Sequence, residues 1–212
     1  AFSLGRTQEM LAQLHRMREQ NLIPDVEIYT AGFGEVISKY YDRTMKYTRR
    51  RDPDLRLQDL DIRPLSPGDI RKGPHLRSPS IILVSSGMMA RNTMSYRLAE
   101  VMLSDPRHGI FFVGYIAPDM PGYPVQNARR GDMLQLGPLS PSQLVQCRIE
   151  KFHFSAHSHR QHLLKIVEKL RPRRVILVHG ERGALGWLRE TIRMNFPKTD
   201  VTIAEKGVTL EY

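Results

Sequence analysis

Histidines crowd one short stretch of this chain. Phe152-His153-Phe154-Ser155-Ala156-His157-Ser158-His159 holds three of them within seven residues. If the segment is extended, Phe152 and Phe154 share one face and His153 takes the other. His157 falls where such a strand should end, so it can protrude into a cleft as an acid or base. Plain surface histidines near a strand end would look the same. A local zinc site from His153, His157, His159 and His162 is a further option, although no carboxylate or cysteine stands at ligand spacing beside them. A second stretch, Val178-His179-Gly180-Glu181, sets a histidine directly after an apolar run and before a glycine. That placement suits a metal ligand or a base, and it also suits a structural histidine. A third, Ser85-Ser86-Gly87-Met88, joins an apolar run to a helical pattern. Free backbone N–H groups and a helix dipole there suit a phosphate. Ordinary helix capping by serine is the alternative.

These stretches need elements to hold them. Met10, Leu11, Leu14 and Met17 mark a helix over 7–20. A strand is expected at 26–30 and a helix at 34–41. Residues 46–79 are rich in charge, Pro and Gly, and predict irregular connection with one short strand. Ser80-Ile81-Ile82-Leu83-Val84 reads as a strand buried on both faces. A helix should follow Gly87 directly and run to about Leu103. A second buried strand is expected at 109–113, a loop at 117–124 and an extended segment at 145–154. Leu163, Leu164, Ile166, Val167 and Leu170 suggest one helix face. Val175-Ile176-Leu177-Val178 is another strand, 183–194 a helix, and 201–204 and 208–210 short closing strands. This alternation predicts an α/β fold: an open, mostly parallel sheet with helices on both faces. Ligands of such sheets bind beyond the carboxyl ends of the strands, where all three polar stretches fall.

Composition narrows the function. The 212 residues suffice for a core, and 41% are hydrophobic, which excludes a disordered chain. Lys and Arg number 32 against 22 Asp and Glu, a net charge of +10. Such a surplus attracts polyanions, nucleic acid first among them. The single cysteine, Cys147, excludes an internal disulfide and any multi-cysteine zinc site, and its alternating neighbours make it a core residue. No run approaches a membrane span and no signal peptide is evident, so a cytoplasmic protein is expected. The chain opens at Ala1 and enters a helix at once, as if cut from a larger protein.

Taken together, the motifs resemble a known family. Phe154-Ser155-Ala156-His157, followed by Ile176-Leu177-Val178-His179-Gly180-Glu181 with the second His 22 residues after the first, is similar to the two C-terminal histidine motifs of β-CASP metallo-β-lactamase nucleases. Leu4-Gly5-Arg6-Thr7-Gln8-Glu9 resembles that family's helix opening after the first β-CASP strand. Ser85-Ser86-Gly87-Met88 resembles its central loop, and Phe112-Val113-Gly114-Tyr115 the strand beyond it. The likeness covers nearly the whole chain. The branch it is most similar to holds the nuclease subunit of the mRNA 3′-end cleavage factor and its bacterial and archaeal relatives.

The resemblance implies a β-CASP domain at 1–145 and, at 146–212, a C-terminal return into a metallo-β-lactamase domain that carries RNA specificity. It implies His157 as general acid at the scissile phosphate and His179 as a ligand of the metal pair. DNA-processing members carry Val at that second position, so His179 implies RNA. It further implies Arg6, Ser85, Ser86 and Gly87 as phosphate contacts. The parent would be a zinc-dependent ribonuclease, with two zinc ions about 3.5–4 Å apart. RNA is the expected partner, without a membrane, and a second copy or a partner nuclease subunit would complete an assembly. The family's H-x-H-x-D-H motif does not occur in this sequence. The chain alone is therefore expected to hold no zinc tightly and to cleave nothing. Two further departures are His159 in place of the usual Asp, and Arg91-Asn92 in place of paired glycines. They keep open a non-catalytic β-CASP subunit that holds RNA or acts as a scaffold. A small-molecule-binding α/β protein would account for the Ser/Gly loop but not for the paired histidine motifs.

Overall fold

The computed structural model describes residues 1–85, 88–152, 154 and 157–209. They form two compact units, Ala1–Phe154 and Ser155–Tyr212.

The first unit begins with α1 (Arg6–Glu19), β1 (Glu27–Ala31) and α2 (Gly34–Arg43). Short 3₁₀ turns and one brief strand, β2 (Ile62–Pro64), fill the stretch expected to be irregular. Next comes β3 (Ser80–Val84). All three strands run parallel in the order β2-β1-β3, with Thr30 opposite both Pro64 and Leu83. Period-two alternation divides the side chains. Leu83 joins Leu11 and Leu57 on the α1 face. Tyr29, Ala31, Ile82 and Val84 join Leu98 on the opposite face.

Leu98 belongs to α3 (Met94–Met102), which buries two sides. One side meets the sheet through Leu98 and Val101. The other, with Tyr96, Ala99 and then Leu103, enters a second core containing Phe112, Val125, Val145 and Cys147. Burial pushes the Cys147 thiol up, as befits a core residue. This core is floored by β4 (Gly109–Phe112) and β7 (Arg148–Lys151), a parallel pair. Between them come α4 (Gly122–Asn127), which overlaps the end of the loop expected at 117–124, and a small antiparallel pair, β5 (Met133–Leu134) with β6 (Gln143–Leu144).

The second unit contains α5 (Arg160–Leu170), β8 (Arg174–Leu177), α6 (Arg182–Asn195) and β9 (Asp200–Ile203). The strands are parallel, with Leu177 opposite Ile203. Val167, Leu177, Ile192 and Val201 are its buried core.

Parallel α/β order with helices on both faces of the first sheet agrees with the sequence. The strands are nevertheless distributed over four small sheets among the described residues. Several local expectations are corrected. The apolar runs at β4 and β8 bury alternate residues only; Phe111 and Ile176 stay exposed. Helix α3 starts at Met94, well beyond Gly87, because Met88, Met89 and Asn92 take left-handed backbone that no helix accommodates. On α5, only Leu164 and Val167 turn inward, while Leu163, Ile166 and Leu170 remain exposed. No strand forms at Val208 and Thr209, and Leu210 lies outside the described residues. Because β7 pairs with β4, the first compact unit runs on to Phe154.

Candidate active site

In the second unit β8 ends at Leu177, and the chain turns through Val178, His179 and Gly180 into α6. His179 adopts φ 57°, a left-handed conformation uncommon outside glycine. Gly180 lies close under Leu185: a Cβ there would lie 2.9 Å from Leu185 Cδ2, so that side chain would have to shift. Helix α5 packs on β8 through Leu164 and Val167 against Val175 and Leu177. A short turn at left-handed Arg171 joins the two, so α5 runs back along the strand. Its N-terminal end therefore sits at the carboxyl end of β8. This topology brings His157 to His179, with ring centroids 6.5 Å apart and planes at 68°. Both residues are exposed. Two imidazoles so spaced can both contact one small oxyanion, and imidazole is the side chain suited to proton transfer near neutral pH.

His159 is the N-cap of α5, and its ring accepts a long hydrogen bond (3.5 Å) from the Gln161 N–H. The His162 ring lies 6.4 Å from it. His153, the remaining member of the four-histidine zinc option, lies outside the described residues. Among the described residues no group of three or more His, Cys, Asp or Glu side chains could hold a metal ion. A zinc site takes three or four protein ligands, and His179 stands in no such group among the described residues. Sequence reasoning missed one neighbour of this site: the Arg160 guanidinium lies 5.0 Å over the ring of Trp187, linking the first turn of α5 to α6. The lone tryptophan was the available signal.

The expected phosphate contacts lie in the first unit. Ser85 is 2% exposed, and its hydroxyl is engaged twice. It accepts from the Gly34 N–H at 2.6 Å and donates to the Ala31 carbonyl at 3.2 Å. It thereby ties the end of β3 to the start of α2. Arg6 is also buried, and its guanidinium is paired with Glu9. Ser86 and Gly87 lie outside the described residues. The motif around Arg6 carries a second clasp that the sequence did not reveal. The buried Gln8 amide donates to Gly34 O and Ser38 Oγ and accepts from the Gly5 N–H, fastening α1 to α2. One cavity, of about 490 Å³, is lined by Arg71, Lys72, Arg97 and Glu100 and by none of the expected site residues.

Comparison with known families decides the kinship. The Beta-Casp domain family matches residues 7–124. The chain belongs to the β-CASP family. A second match, to the Zn-dependent metallo-hydrolase RNA specificity domain, spans residues 143–204 and includes both candidate histidines. Among curated relatives, the chain is 26% identical to an RNase J-like protein of Methanocaldococcus jannaschii, over 85% of this chain and 42% of that protein. It is 26% identical to cleavage and polyadenylation specificity factor 73 of Drosophila melanogaster, over 92% of this chain and 28% of the relative. It is 28% identical to the RNase aCSPSF2 of Saccharolobus solfataricus, over 98% and 39%. The β-CASP chain thus spans less than half the length of these relatives. No helix among its described residues is long and apolar enough to cross a membrane.

Proposed function

We propose that this chain is the RNA-gripping, active-site-completing portion of a zinc-dependent ribonuclease that hydrolyses RNA phosphodiester bonds. The observation that carries the reading is the pairing of His157 and His179 at the carboxyl end of β8, within a segment that matches an RNA specificity domain. In this reading His157 gives its proton to the leaving oxygen of the ribose. His179 offers one imidazole nitrogen to the metal pair, whose other ligands these residues do not supply. Residues 1–145 act as the β-CASP domain and 146–212 as the returning segment. Arg6 reaches a phosphate only by exchanging Glu9 for it, Ser85 acts by tying β3 to α2, and Ser86 and Gly87 are the remaining phosphate contacts. The protein works in the cytoplasm on RNA, as a homodimer or beside a partner nuclease subunit.

The +10 charge supports RNA binding in a salt-dependent way. The isolated chain is expected to bind RNA, to lose affinity steeply with salt, and to leave RNA intact when zinc is added. Metal-dependent cleavage by this chain that vanishes with His179→Ala would overturn the incomplete-site reading. In the intact parent, His157→Ala should slow cleavage by about 10²–10⁴-fold while RNA binding is kept. A parent that holds RNA and cleaves no faster than its His157→Ala form is instead the non-catalytic subunit.

A further inference from the structure

Helix α2 carries an aromatic series that the candidate active site does not use. Phe33, Tyr40 and Tyr47 recur every seven residues, from the N-cap of α2 through the 3₁₀ turn Met45–Tyr47 that extends it. Seven residues bring a helix nearly back to the same face, drifting by only about 20°. They also advance it by about 10 Å. Aromatic side chains at helical spacing usually enter a core. These do not: they are 62%, 56% and 88% exposed. Tyr41, by contrast, packs beside Leu11 and Leu57.

Cations flank the series. The Arg43 guanidinium lies 5.8 Å over the Tyr40 ring. Lys46, Arg49 and Arg51 are exposed and have no ion-pair partner among the described residues. Asp54 is exposed, but three other acids nearby are engaged. Asp42 is buried and binds backbone N–H groups, Glu35 pairs with Lys39 at 3.1 Å, and Asp52 pairs with Arg16. The series begins beside Gly34, whose N–H is held by Ser85, so it leads away from the expected phosphate loop.

Exposed Val36 joins Phe33 to Tyr40, but a protein-docking stripe would continue apolar, and beyond Tyr40 the face turns to charge: Arg43 and Lys46 stand between it and Tyr47, about two helical turns away. Isolated rings between unpaired cations are the arrangement that holds single-stranded nucleic acid, with bases stacked on the rings and phosphates beside the cations. We infer that the outer face of α2 and its 3₁₀ extension is a binding track for single-stranded RNA, with Tyr40 and Tyr47 as stacking platforms and Lys46, Arg49 and Arg51 as phosphate contacts. This deepens the proposed function and rests on it.

The test uses the 212-residue chain, a 12-nucleotide single-stranded RNA, and inorganic polyphosphate as a polyanion without bases. Tyr40→Ala with Tyr47→Ala should weaken RNA binding at least roughly tenfold. Polyphosphate binding and the salt slope should not change, and the double Phe variant should restore RNA affinity. Arg49→Ala with Arg51→Ala should lower the slope of log K against log salt by about 1.4. If the double Ala variant of the tyrosines binds RNA like the wild type, the track is refuted while the RNA-binding function stands. Equal loss toward RNA and polyphosphate refutes base stacking. Weakened self-association with unchanged RNA affinity assigns the face to a second copy and also refutes the track. If the wild-type chain binds no RNA at low salt, the proposed function falls, and the track with it.

Discussion

His179 shows how one residue can serve chemistry and backbone together. Its left-handed φ lets the chain leave β8 and start α6 within a few residues, and it presents the ring beside His157. An L side chain in this region costs about 1–2 kcal/mol, and β-branching makes it worse. His179→Gly should therefore leave the second unit as stable as before or slightly more so. His179→Val should lower its stability by about 1–2 kcal/mol. Urea unfolding followed by Trp187 fluorescence reads both; a Val variant as stable as wild type would show that β-branching adds no cost at this left-handed position. The sequence identified His179 by its place after an apolar run, but a histidine gives no sign of positive φ. Ser85 is the reverse case. Its residue type suggested a phosphate contact, and only the fold shows the hydroxyl occupied by Gly34 and Ala31.

Elements with a strong period were legible, and their joints were not. Helix α1 and strand β1 lie within a residue or two of where side-chain spacing put them, since period 3.6 and period 2 are local properties. The join between α2 and the 3₁₀ turn Leu57–Asp59 rests instead on one buried carboxylate. Asp42 accepts from the Leu57 and Gln58 N–H groups, each at 2.9 Å, with Arg50 3.8 Å away. Its removal strands two donors and a largely buried cation. Asp42→Ala should cost about 3 kcal/mol, measured as the shift of the chemical-unfolding curve of the first unit. A change under about 0.5 kcal/mol would mean that water replaces the carboxylate at no cost. Nothing in Tyr41-Asp42-Arg43 distinguishes this aspartate from an exposed one, because its partners lie 15 and 16 residues away.

The whole molecule is organised as two units, each with buried residues of its own. The second has a small core of four buried residues. Small cores give marginal stability. The second unit should therefore unfold at lower denaturant than the first. Trp187, the only tryptophan, reports on it alone. Its fluorescence transition is expected to precede the far-UV circular dichroism transition that follows the larger unit; coincident curves would instead show the two units unfolding cooperatively.

The order of elements, the α/β class, the polyanion-seeking charge and His179 just beyond a strand are present in the sequence itself, because each depends on neighbours a few residues apart; His157 was expected at a strand end, but β7 stops at Lys151. Tertiary structure decided the remainder. It chose which face of β4, α5 and β8 is buried, delayed α3 to Met94, enclosed Arg6 and Ser85, and left the aromatic series of α2 in the open. These outcomes turn on contacts between distant parts of the chain, such as the 51-residue separation from Gly34 to Ser85. A buried polar group is satisfied by whichever partner the fold delivers, and residue type alone does not specify that partner.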